Sequence, residues 1–211
     1  MTEDKQHILI AGANGSTGKI IVDILKDSEA FEPIAMIRKE EQTEQFEKDN
    51  VKTVLADLEK DVSHALKGID KVIFAAGSKG RNVIGVDQEG AKKLIDAGEQ
   101  ADIKKFVMLS SIGADKPWIS DDLEDYLKAK LNADDHLRDS NLDYSIVRPG
   151  RLTDEDGTGK IKLEEKLDNY GDISRADVAR TLVEVLADDK MKNQVFELIE
   201  GDTSIEEAIS N

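Results

Sequence analysis

Short apolar runs alternate with longer amphipathic stretches along almost the whole chain of 211 residues. The strand candidates are HILIAG (7–12), EPIAMIR (32–38), KTVLAD (52–57), DKVIFAAG (70–77), KKFVMLSS (104–111), LDYSIVRPG (142–150) and QVFELI (194–199). The helix candidates are 16–28, 41–48, 60–67, 85–100, 121–139 and 174–187. Strands that are apolar throughout, each followed by a helix, indicate a parallel sheet covered on both faces. We therefore predict an α/β fold with a doubly wound parallel sheet in three layers.

The alternation continues without an internal repeat or a low-complexity linker, so we predict one domain over residues 1–211. The stretch RLTDEDGTGKIKLEEKLDNYGDI (151–173) is rich in Gly and Asp, and we expect it to be irregular. It lies beyond the sixth strand, where a doubly wound fold places segments that cover the ligand. We expect a small substrate-side lobe from about 151–173 and 194–211.

The composition argues against several classes of partner. A formal net charge of −16 is unlike the basic face of a nucleic-acid binder, although a few local N–H groups and cations can still hold a small anion. The chain has no cysteine and its three histidines are scattered, so we predict neither a disulfide nor a metal site. No signal-peptide pattern or membrane-spanning apolar run is found, so we expect a cytoplasmic protein without a membrane partner.

A glycine-rich loop follows the first strand and leads into an amphipathic helix. Gly12, Gly15 and Gly18 are spaced G-x-x-G-x-x-G. Such a loop offers backbone N–H groups at a helix N-terminus, where the helix dipole also favours an anion. Ser16 and Thr17 add hydroxyl donors, and Asn14 tolerates unusual backbone angles. We predict a pyrophosphate cradle here, the alternative being a strand–helix turn without a ligand.

The end of the second strand indicates which dinucleotide binds. NAD sites place an acid there, which accepts from the ribose 2′-hydroxyl. This chain has Arg38 and Lys39 instead, and a guanidinium can stack on adenine and pair with a 2′-phosphate. We therefore predict NADP rather than NAD as the cofactor. The alternative is that both cations are solvated and that Glu40 or Glu41 holds the ribose.

Several short motifs, taken in order, resemble the short-chain dehydrogenase/reductase superfamily, in its atypical, epimerase/dehydratase-like branch. They are AGANGSTGK (11–19), Arg38, Asp57-Leu58, AAG (75–77), LSS (109–111), Tyr126-x-x-x-Lys130, RPG (148–150) and ISRADVA (173–179). The resemblance covers essentially the whole chain and implies a Rossmann NAD(P)-binding fold.

The resemblance also implies roles for individual residues around the cofactor. Asp57 and Leu58 would flank the adenine. Ala75, Ala76 and Gly77 would line the cofactor ribose. Ser110 would lie against the cofactor, and Pro149, Gly150, Arg151 and Leu152 would lie near the nicotinamide.

Tyr126 and Lys130 are four residues apart on a predicted helix, so their side chains share one face. A phenol is a poor base at neutral pH, but a nearby ammonium favours the phenolate and makes Tyr a usable acid/base. The resemblance implies that Lys130 also holds the nicotinamide ribose and that a serine binds the substrate oxygen. Ser111 is the first candidate and Ser110 the second, while Ile112 is another position that could align with the family serine.

Two observations weigh against catalysis by Tyr126. A Tyr-x-x-x-Lys match arises easily by chance in a lysine-rich chain. In addition, Asp121, Asp122, Glu124 and Asp125 precede the tyrosine, and they would disfavour a phenolate if they faced inward. They also suit a helix N-terminus capped by Ser120.

The sequence thus predicts an NADP-dependent oxidoreductase that acts on a small carbonyl or alcohol through Tyr126, Lys130 and Ser111. The alternative is a sensor or regulator that binds NADP(H) without turnover. Substrate contacts are expected from 78–84, 112–120 and 151–173, where Trp118 is either a pocket wall or a packed loop anchor. The oligomeric state, monomer or homodimer, stays open.

Overall fold

The computed structural model describes residues 5–210, which form a sheet with helices on both faces. The strands are β1 (Gln6–Ala11), β2 (Phe31–Ile37), β3 (Lys52–Leu55), β4 (Lys71–Phe74), β5 (Lys105–Leu109), β6 (Tyr144–Pro149), β7 (Arg151–Thr153), β8 (Lys160–Glu164), β9 (Asp172–Ser174), β10 (Gln194–Glu200) and β11 (Thr203–Ser204). The helices are α1 (Ser16–Lys26), α2 (Thr43–Glu47), α3 (Glu89–Gln100), α4 (Glu124–Asp139), α5 (Arg175–Glu184) and α6 (Ile205–Ser210).

The main sheet has the order β11-β8-β10-β6-β5-β4-β1-β2-β3. The strands from β10 to β3 in that order are all parallel, and β8 joins β10 in antiparallel pairing. The strand order reverses between β1 and β4. The crevice at this point, outside the carboxyl ends of the strands, is where ligands of such sheets bind. The predicted doubly wound α/β fold is confirmed.

Adjacent residues of β1 point to opposite faces of the sheet and enter two separate cores. Ile8 and Ile10 pack with α1 and α5, whereas Leu9 and Ala11 pack with α3 and α4. All four side chains are fully buried. Burial on both faces explains why the central strands read as continuous apolar runs, and it fixes the three layers.

Two local predictions are wrong, and a third holds with a different kind of first turn. Residues 60–67 form no α-helix and contain only a 3₁₀ turn at Ser63–Leu66. Asp61 accepts hydrogen bonds from both the N–H and the hydroxyl of Ser63, and Gly68 then turns the chain with a φ of +73°. Ser120 makes no side-chain cap. A 3₁₀ turn (Asp121–Leu123) precedes α4 instead. The helix expected over 85–100 starts as a π-helical turn (Val83–Gln88) before α3.

The stretch 151–173 is not irregular, contrary to expectation, since it contains β7, β8 and β9. β7 pairs with β9, and β8 pairs with β10 of the main sheet. In β8 the sequence KIKLE alternates polar and apolar residues, a pattern typical of an antiparallel strand with one face toward the core and the other toward solvent. The assignment of these segments to a substrate-side lobe of a single domain stays a prediction.

Asp177 anchors this region to α5. Its carboxylate, 1% exposed, accepts from the N–H groups of Thr158 and Gly159, both at 2.8 Å, and from the Ser174 hydroxyl at 2.9 Å. The Ser174 hydroxyl in turn accepts from the Asp177 N–H and caps the helix. One buried carboxylate therefore fixes both the loop before β8 and the start of α5.

Two buried lysines lie at the amino edge of the sheet, opposite the ligand crevice. Lys71 and Lys105 are register partners that begin β4 and β5. Lys71 Nζ donates to the Leu186 carbonyl at 2.6 Å, and Lys105 Nζ donates to the Ala187 carbonyl at 2.9 Å, just beyond α5. Burial and the neighbouring ammonium of Lys71 lower the pKa of Lys105 to about 8. The pair therefore fastens the end of α5 to the sheet.

Within residues 5–210, no helix combines the length and the apolarity that crossing a bilayer requires.

Candidate functional site

The glycine loop between β1 and α1 comes very close to the segment after β4. Gly12 has a φ of +89°, and a Cβ added to it would lie 2.6 Å from the N and Cα atoms of Ala76. A Cβ on Gly18 would lie 2.1 Å from the Gly12 carbonyl oxygen. Glycine is therefore required at both positions, first for the left-handed turn and then for the contact between helix and loop.

The N-terminus of α1 presents backbone donors to the crevice. The Lys19 N–H makes the first intrahelical bond, to the Gly15 carbonyl at 2.9 Å. The N–H groups of Ser16, Thr17 and Gly18 therefore have no acceptor within the helix, and the first turn carries no acid. Such a pole attracts a phosphate, so these residues fit the pyrophosphate of a dinucleotide.

Asn14, at the tip of the loop, is exposed and accepts from Gln45 Nε2 of α2 at 2.8 Å. This bond ties the loop to the segment that follows β2. The loop is thus held by α2 on one side and by the segment after β4 on the other.

Arg38 and Lys39 follow β2 and have exposed side chains. Their backbone N–H groups both donate to Gln42 Oε1, at 2.9 and 3.0 Å, so the turn is held while the side chains extend from it. The Arg38 guanidinium has no hydrogen-bond or ion-pair partner within residues 5–210. Glu40 and Glu41 are exposed next to it. A free guanidinium at this place fits a 2′-phosphate.

The residues expected around the adenine and the ribose follow β3 and β4. Asp57 Oδ1 accepts from the Glu59 N–H at 3.1 Å and is half-buried. The Leu58 side chain is buried against α3, so Leu58 can offer a ligand mainly its backbone. Ala75 and Ala76 are half-buried at the crevice and Gly77 is exposed.

Lys130 lies under Tyr126, as the helical spacing predicts. Its Nζ is 5.7 Å from the centre of the Tyr126 ring and donates to the Leu109 carbonyl at the end of β5, at 3.0 Å. Lys130 is 3% exposed and Tyr126 is half-buried. The ammonium therefore faces the ring and does not bond the hydroxyl. Within residues 5–210, the Tyr126 hydroxyl has no hydrogen-bond partner.

The two serines that end β5 use their hydroxyl protons within the protein. Ser110 Oγ donates to Asp134 Oδ2 at 2.7 Å, and Ser111 Oγ donates to the Ile112 carbonyl at 3.1 Å. No hydrogen bond joins either hydroxyl to Tyr126 in the described chain. The structure thus places Ser111, Tyr126 and Lys130 around one strand end without linking them by direct bonds.

The acids before Tyr126 do not crowd it. Asp121, Asp122 and Asp125 are exposed, and Glu124 pairs with Lys128 at 2.6 Å. They lie in the first turns of the α4 segment, where carboxylates favour the helix dipole.

Asp134 is a buried acid that the sequence reading missed. It is fully buried on α4, and its Oδ2 accepts from Ser110 and from the Arg148 guanidinium, whose Nε and Nη2 lie at 3.0 and 2.9 Å. Burial raises the pKa of Asp134, while Arg148, Ser110 and Lys130 act in the opposite direction. The sequence signal for Asp134 was its position one helical turn after Lys130, which places both side chains on the same face of α4.

Further ion pairs extend from Arg148 to the segment before β9. Asp115 lies 4.0 Å from Arg148 Nη1 and 2.8 Å from Lys166 Nζ. Lys166 also pairs with Glu197 at 2.6 Å, and Glu197, 1% exposed, accepts from the Leu167 N–H. Alternating charges therefore connect α4, β6, the segment after β5 and the segment before β9.

The residues expected near the nicotinamide continue from β6 into β7. Pro149 is buried, Gly150 and Leu152 are half-buried, and Arg151 is exposed and pairs with Asp172. Gly150 packs on Gly171, whose carbonyl oxygen would lie 2.1 Å from an added Cβ. Trp118 is 70% exposed, so it is not a packed loop anchor.

Comparisons with known proteins agree with this geometry. The model of the NAD(P)H-binding family matches residues 12–189. An uncharacterized sugar epimerase, YhfK of Bacillus subtilis (strain 168), is 40% identical over 211 residues, covering 96% of this chain and 98% of its own.

Two solved structures extend the likeness. A Bacillus halodurans protein, provisionally named an NAD-dependent epimerase/dehydratase, has a TM-score of 0.93 and 38% identity over 97% of this chain and 99% of its own. The oxidoreductase ylbE of Lactococcus lactis has a TM-score of 0.88 and 36% identity over 97% of this chain and 95% of its own. This chain therefore belongs to the NAD(P)H-binding family, in the atypical, epimerase/dehydratase-like branch of the short-chain dehydrogenases/reductases.

Proposed function

We propose that the protein is an NADPH-dependent reductase. The observation that carries the cofactor preference is the unpartnered guanidinium of Arg38 beside a helix pole with free N–H groups. The loop of Gly12, Gly15 and Gly18 would hold the pyrophosphate, and Arg38, assisted by Lys39, would pair with the 2′-phosphate. The family and its relatives named as oxidoreductase or epimerase support a redox role.

Bound NADPH would supply a hydride to the substrate. Tyr126 would deliver the accompanying proton from its hydroxyl, which has no protein acceptor in the described chain. Lys130, beneath the ring, would stabilise the phenolate that remains. Its ammonium, held at the end of β5, would also lie close to the nicotinamide ribose. Asp134 would set the position of Ser110 through their 2.7 Å hydrogen bond.

The cofactor preference is tested by titrating NADPH and NADH with fluorescence detection. Arg38→Ala should weaken NADPH binding about 10- to 100-fold, since a charge-assisted bond contributes about 1.5–3 kcal/mol, and should leave NADH binding nearly unchanged. Arg138→Ala, an exposed arginine paired with Asp135, is the matched control and should change neither. Tighter binding of NADH than of NADPH by the wild type would refute the preference.

The role of Tyr126 is tested by Tyr126→Phe, which keeps the ring over Lys130 and removes the hydroxyl. NADPH consumption with an accepted substrate should fall about 10²- to 10⁴-fold, while NADPH affinity stays unchanged. Tyr144→Phe, at the start of β6 and hence at the opposite edge of the sheet, is the control. A Tyr126→Phe protein with full activity would exclude Tyr126 as the proton donor.

A non-catalytic NADP(H) sensor is the second candidate. The hydroxyl protons of Ser110 and Ser111 are already donated within the protein, and this favours a site without turnover. NADPH binding without NADPH consumption by any acceptor tested would support the sensor over the reductase.

A further inference from the structure

Four acidic side chains are buried among the residues that the structure describes: Asp87, Asp134, Asp177 and Glu197. Three of them have an ion-pair partner or several hydrogen-bond donors. Asp87 is 2% exposed and accepts a single hydrogen bond, from the Ser78 N–H at 2.9 Å, and no cation pairs with it within residues 5–210. A buried carboxylate is costly unless it is paired, so Asp87 keeps acceptor capacity that the protein does not use.

The residue that donates to Asp87 also carries an unpartnered hydroxyl. Two buried side-chain atoms of the described chain lack a hydrogen-bond partner, Asp134 Oδ1 and Ser78 Oγ. The other oxygen of Asp134 is paired, whereas Oγ is the only polar atom of the Ser78 side chain. A Cβ on Gly77 would lie 3.2 Å from Asp87 Oδ1, so the glycine lets this oxygen lie against the turn. Since buried polar groups are normally bonded, the turn after β4 joins an acceptor and a donor that both lack a partner.

This turn lies just beyond the point where the glycine loop touches the segment after β4. A Cβ on Gly12 would lie 2.6 Å from the N and Cα atoms of Ala76, two residues before Ser78. In the sheet, β4 lies on one side of β1, and β2, which Arg38 follows, lies on the other. A dinucleotide with its 2′-phosphate at Arg38 and its pyrophosphate at the loop therefore continues toward Ser78 with its nicotinamide half.

A second connection joins the turn to α4. Asp87 belongs to the π-helical turn Val83–Gln88, and Gln88 accepts from Asn132 Nδ2 at 2.7 Å. Asn132 follows Lys130 by two residues on α4. π-Helical turns are frequent at functional sites. Asp87 is therefore tied to the helix whose lysine is expected beside the nicotinamide ribose.

A ribose presents two neighbouring hydroxyls, so one can donate to a carboxylate while the other accepts from a serine. Carboxylates recognise ribose hydroxyls in this way in other dinucleotide sites. We propose that Asp87 and Ser78 bind the ribose on the nicotinamide side of NADPH, with Asp87 Oδ1 accepting from one hydroxyl and Ser78 Oγ donating to the other. This inference rests on the NADPH binding proposed above and not on turnover. The turn after β4 thereby orients the half of the dinucleotide that carries the hydride.

Three ligands that share the adenine half separate the ribose from the rest of the cofactor. Adenosine 2′-phosphate 5′-diphosphate ends at the pyrophosphate, 2′-phospho-ADP-ribose adds the second ribose, and NADPH adds the nicotinamide. Asp87→Asn should weaken binding of the second and third ligands about 10- to 100-fold in isothermal titration calorimetry, since the charged acceptor is lost. Ser78→Ala should weaken binding of the same two ligands about 2- to 10-fold. Both variants should bind the first ligand as tightly as the wild type does.

Asp96→Asn is the matched control, because Asp96 is an exposed acid of α3 paired with His136 at 2.6 Å, and it should change none of the three affinities. Equal losses for all three ligands in Asp87→Asn would show that Asp87 only supports the turn, and this result overturns the proposal, as does the absence of any loss. A loss for NADPH alone would assign the pair to the nicotinamide ring and overturn the ribose site. ADP, ADP-ribose and NADH form the same series without the 2′-phosphate, so the comparison does not depend on the cofactor preference.

The stability of the ligand-free protein also distinguishes binding from structural support. A carboxylate that is buried for a ligand does not stabilise the free protein, so Asp87→Asn should leave the Tm unchanged or raise it. NADPH should then raise the Tm of Asp87→Asn less than it raises that of the wild type. A fall in Tm of more than about 5 °C in the free variant would indicate a structural carboxylate and overturn the proposal.

NADPH consumption separates this inference from the proposed reductase. A wild type that shows the expected ligand pattern but reduces no acceptor supports the ribose site and contradicts the reductase. A wild type that reduces an acceptor, with an Asp87→Asn protein of unchanged KM for NADPH, supports the reductase and overturns the ribose site. Reduction by the wild type together with a raised KM for NADPH in Asp87→Asn supports both.

Discussion

Removal of the Asp134 carboxylate should be the most damaging single change to the charged interior. Asp134 is fully buried, and its Oδ2 accepts hydrogen bonds from Ser110 and from Arg148 Nε and lies 2.9 Å from Arg148 Nη2 in the ion pair. Asp134→Ala leaves the Arg148 guanidinium, whose side chain is 9% exposed, without its main partner, and leaves Lys130 without a nearby counter-charge. Breaking a buried pair in this way costs about 3–5 kcal/mol.

That loss is a large part of the about 5–15 kcal/mol by which a domain is usually stable. It corresponds to a fall in Tm of about 6–20 °C for a chain of this length. Guanidinium denaturation should show a lower midpoint with an unchanged m-value. Asp135→Ala, the adjacent acid in an exposed pair with Arg138, should change the free energy of unfolding by less than about 1 kcal/mol.

A double variant shows whether the unpaired charge is the cause. Asp134→Ala with Arg148→Met removes both partners, so the double variant should be more stable than Asp134→Ala alone. If the two single effects simply add, or if Asp134→Ala stays within about 0.5 kcal/mol of the wild type, the charge pairing does not stabilise the fold in the way described.

Three further predictions follow from single contacts. Gly12→Ala should weaken NADPH binding at least about tenfold, since a Cβ would displace the segment after β4. Gly68→Ala is the control and should leave NADPH binding unchanged, because Gly68 has a similar positive φ but open space around it. Asp177→Ala should lower the free energy of unfolding by about 2–3 kcal/mol, against less than about 1 for the exposed Asp154→Ala, in urea denaturation. The wild type should gain stability relative to Lys105→Met as the pH rises from about 8 to 10.5, because in this range the unfolded chain keeps a proton on Lys105 that the folded chain has released. A difference in free energy of unfolding between the two proteins that stays constant over this range would contradict the lowered pKa of Lys105.

The central part of the fold could be predicted because its signals are local. The strands β1, β4, β5 and β6 bury both faces, so their residues read as apolar runs whatever they pair with. The strands of 151–173 were missed because their pairing is not local: β8 depends on β10, more than thirty residues later. Over 60–67 the helical pattern competed with an Asp61–Ser63 turn, and the turn prevailed.

The candidate site was predictable only in part, for a similar reason. The glycine loop and Arg38 stand at strand ends, where position alone indicates a ligand. Asp134, Arg148 and Glu197 are charged residues that become buried only when α4, β6 and β10 come together. Glu197 lies within the apolar run QVFELI, and a charged residue in such a run indicates a buried partner of opposite charge. The identity of that partner could not be predicted, because it depends on the register of β10 with β6.

The strongly acidic chain can hold a dinucleotide because its local charge at the loop differs from its total charge. Many of its cations are used in ion pairs away from the crevice, as Lys52 with Glu32 and Lys192 with Asp143. At the crevice the first turn of α1 carries no acid, and Arg38 has no partner among residues 5–210. Charges more than about 8 Å away are largely screened at physiological ionic strength. A phosphate at the loop therefore experiences the helix pole and a free guanidinium more strongly than the net charge of −16.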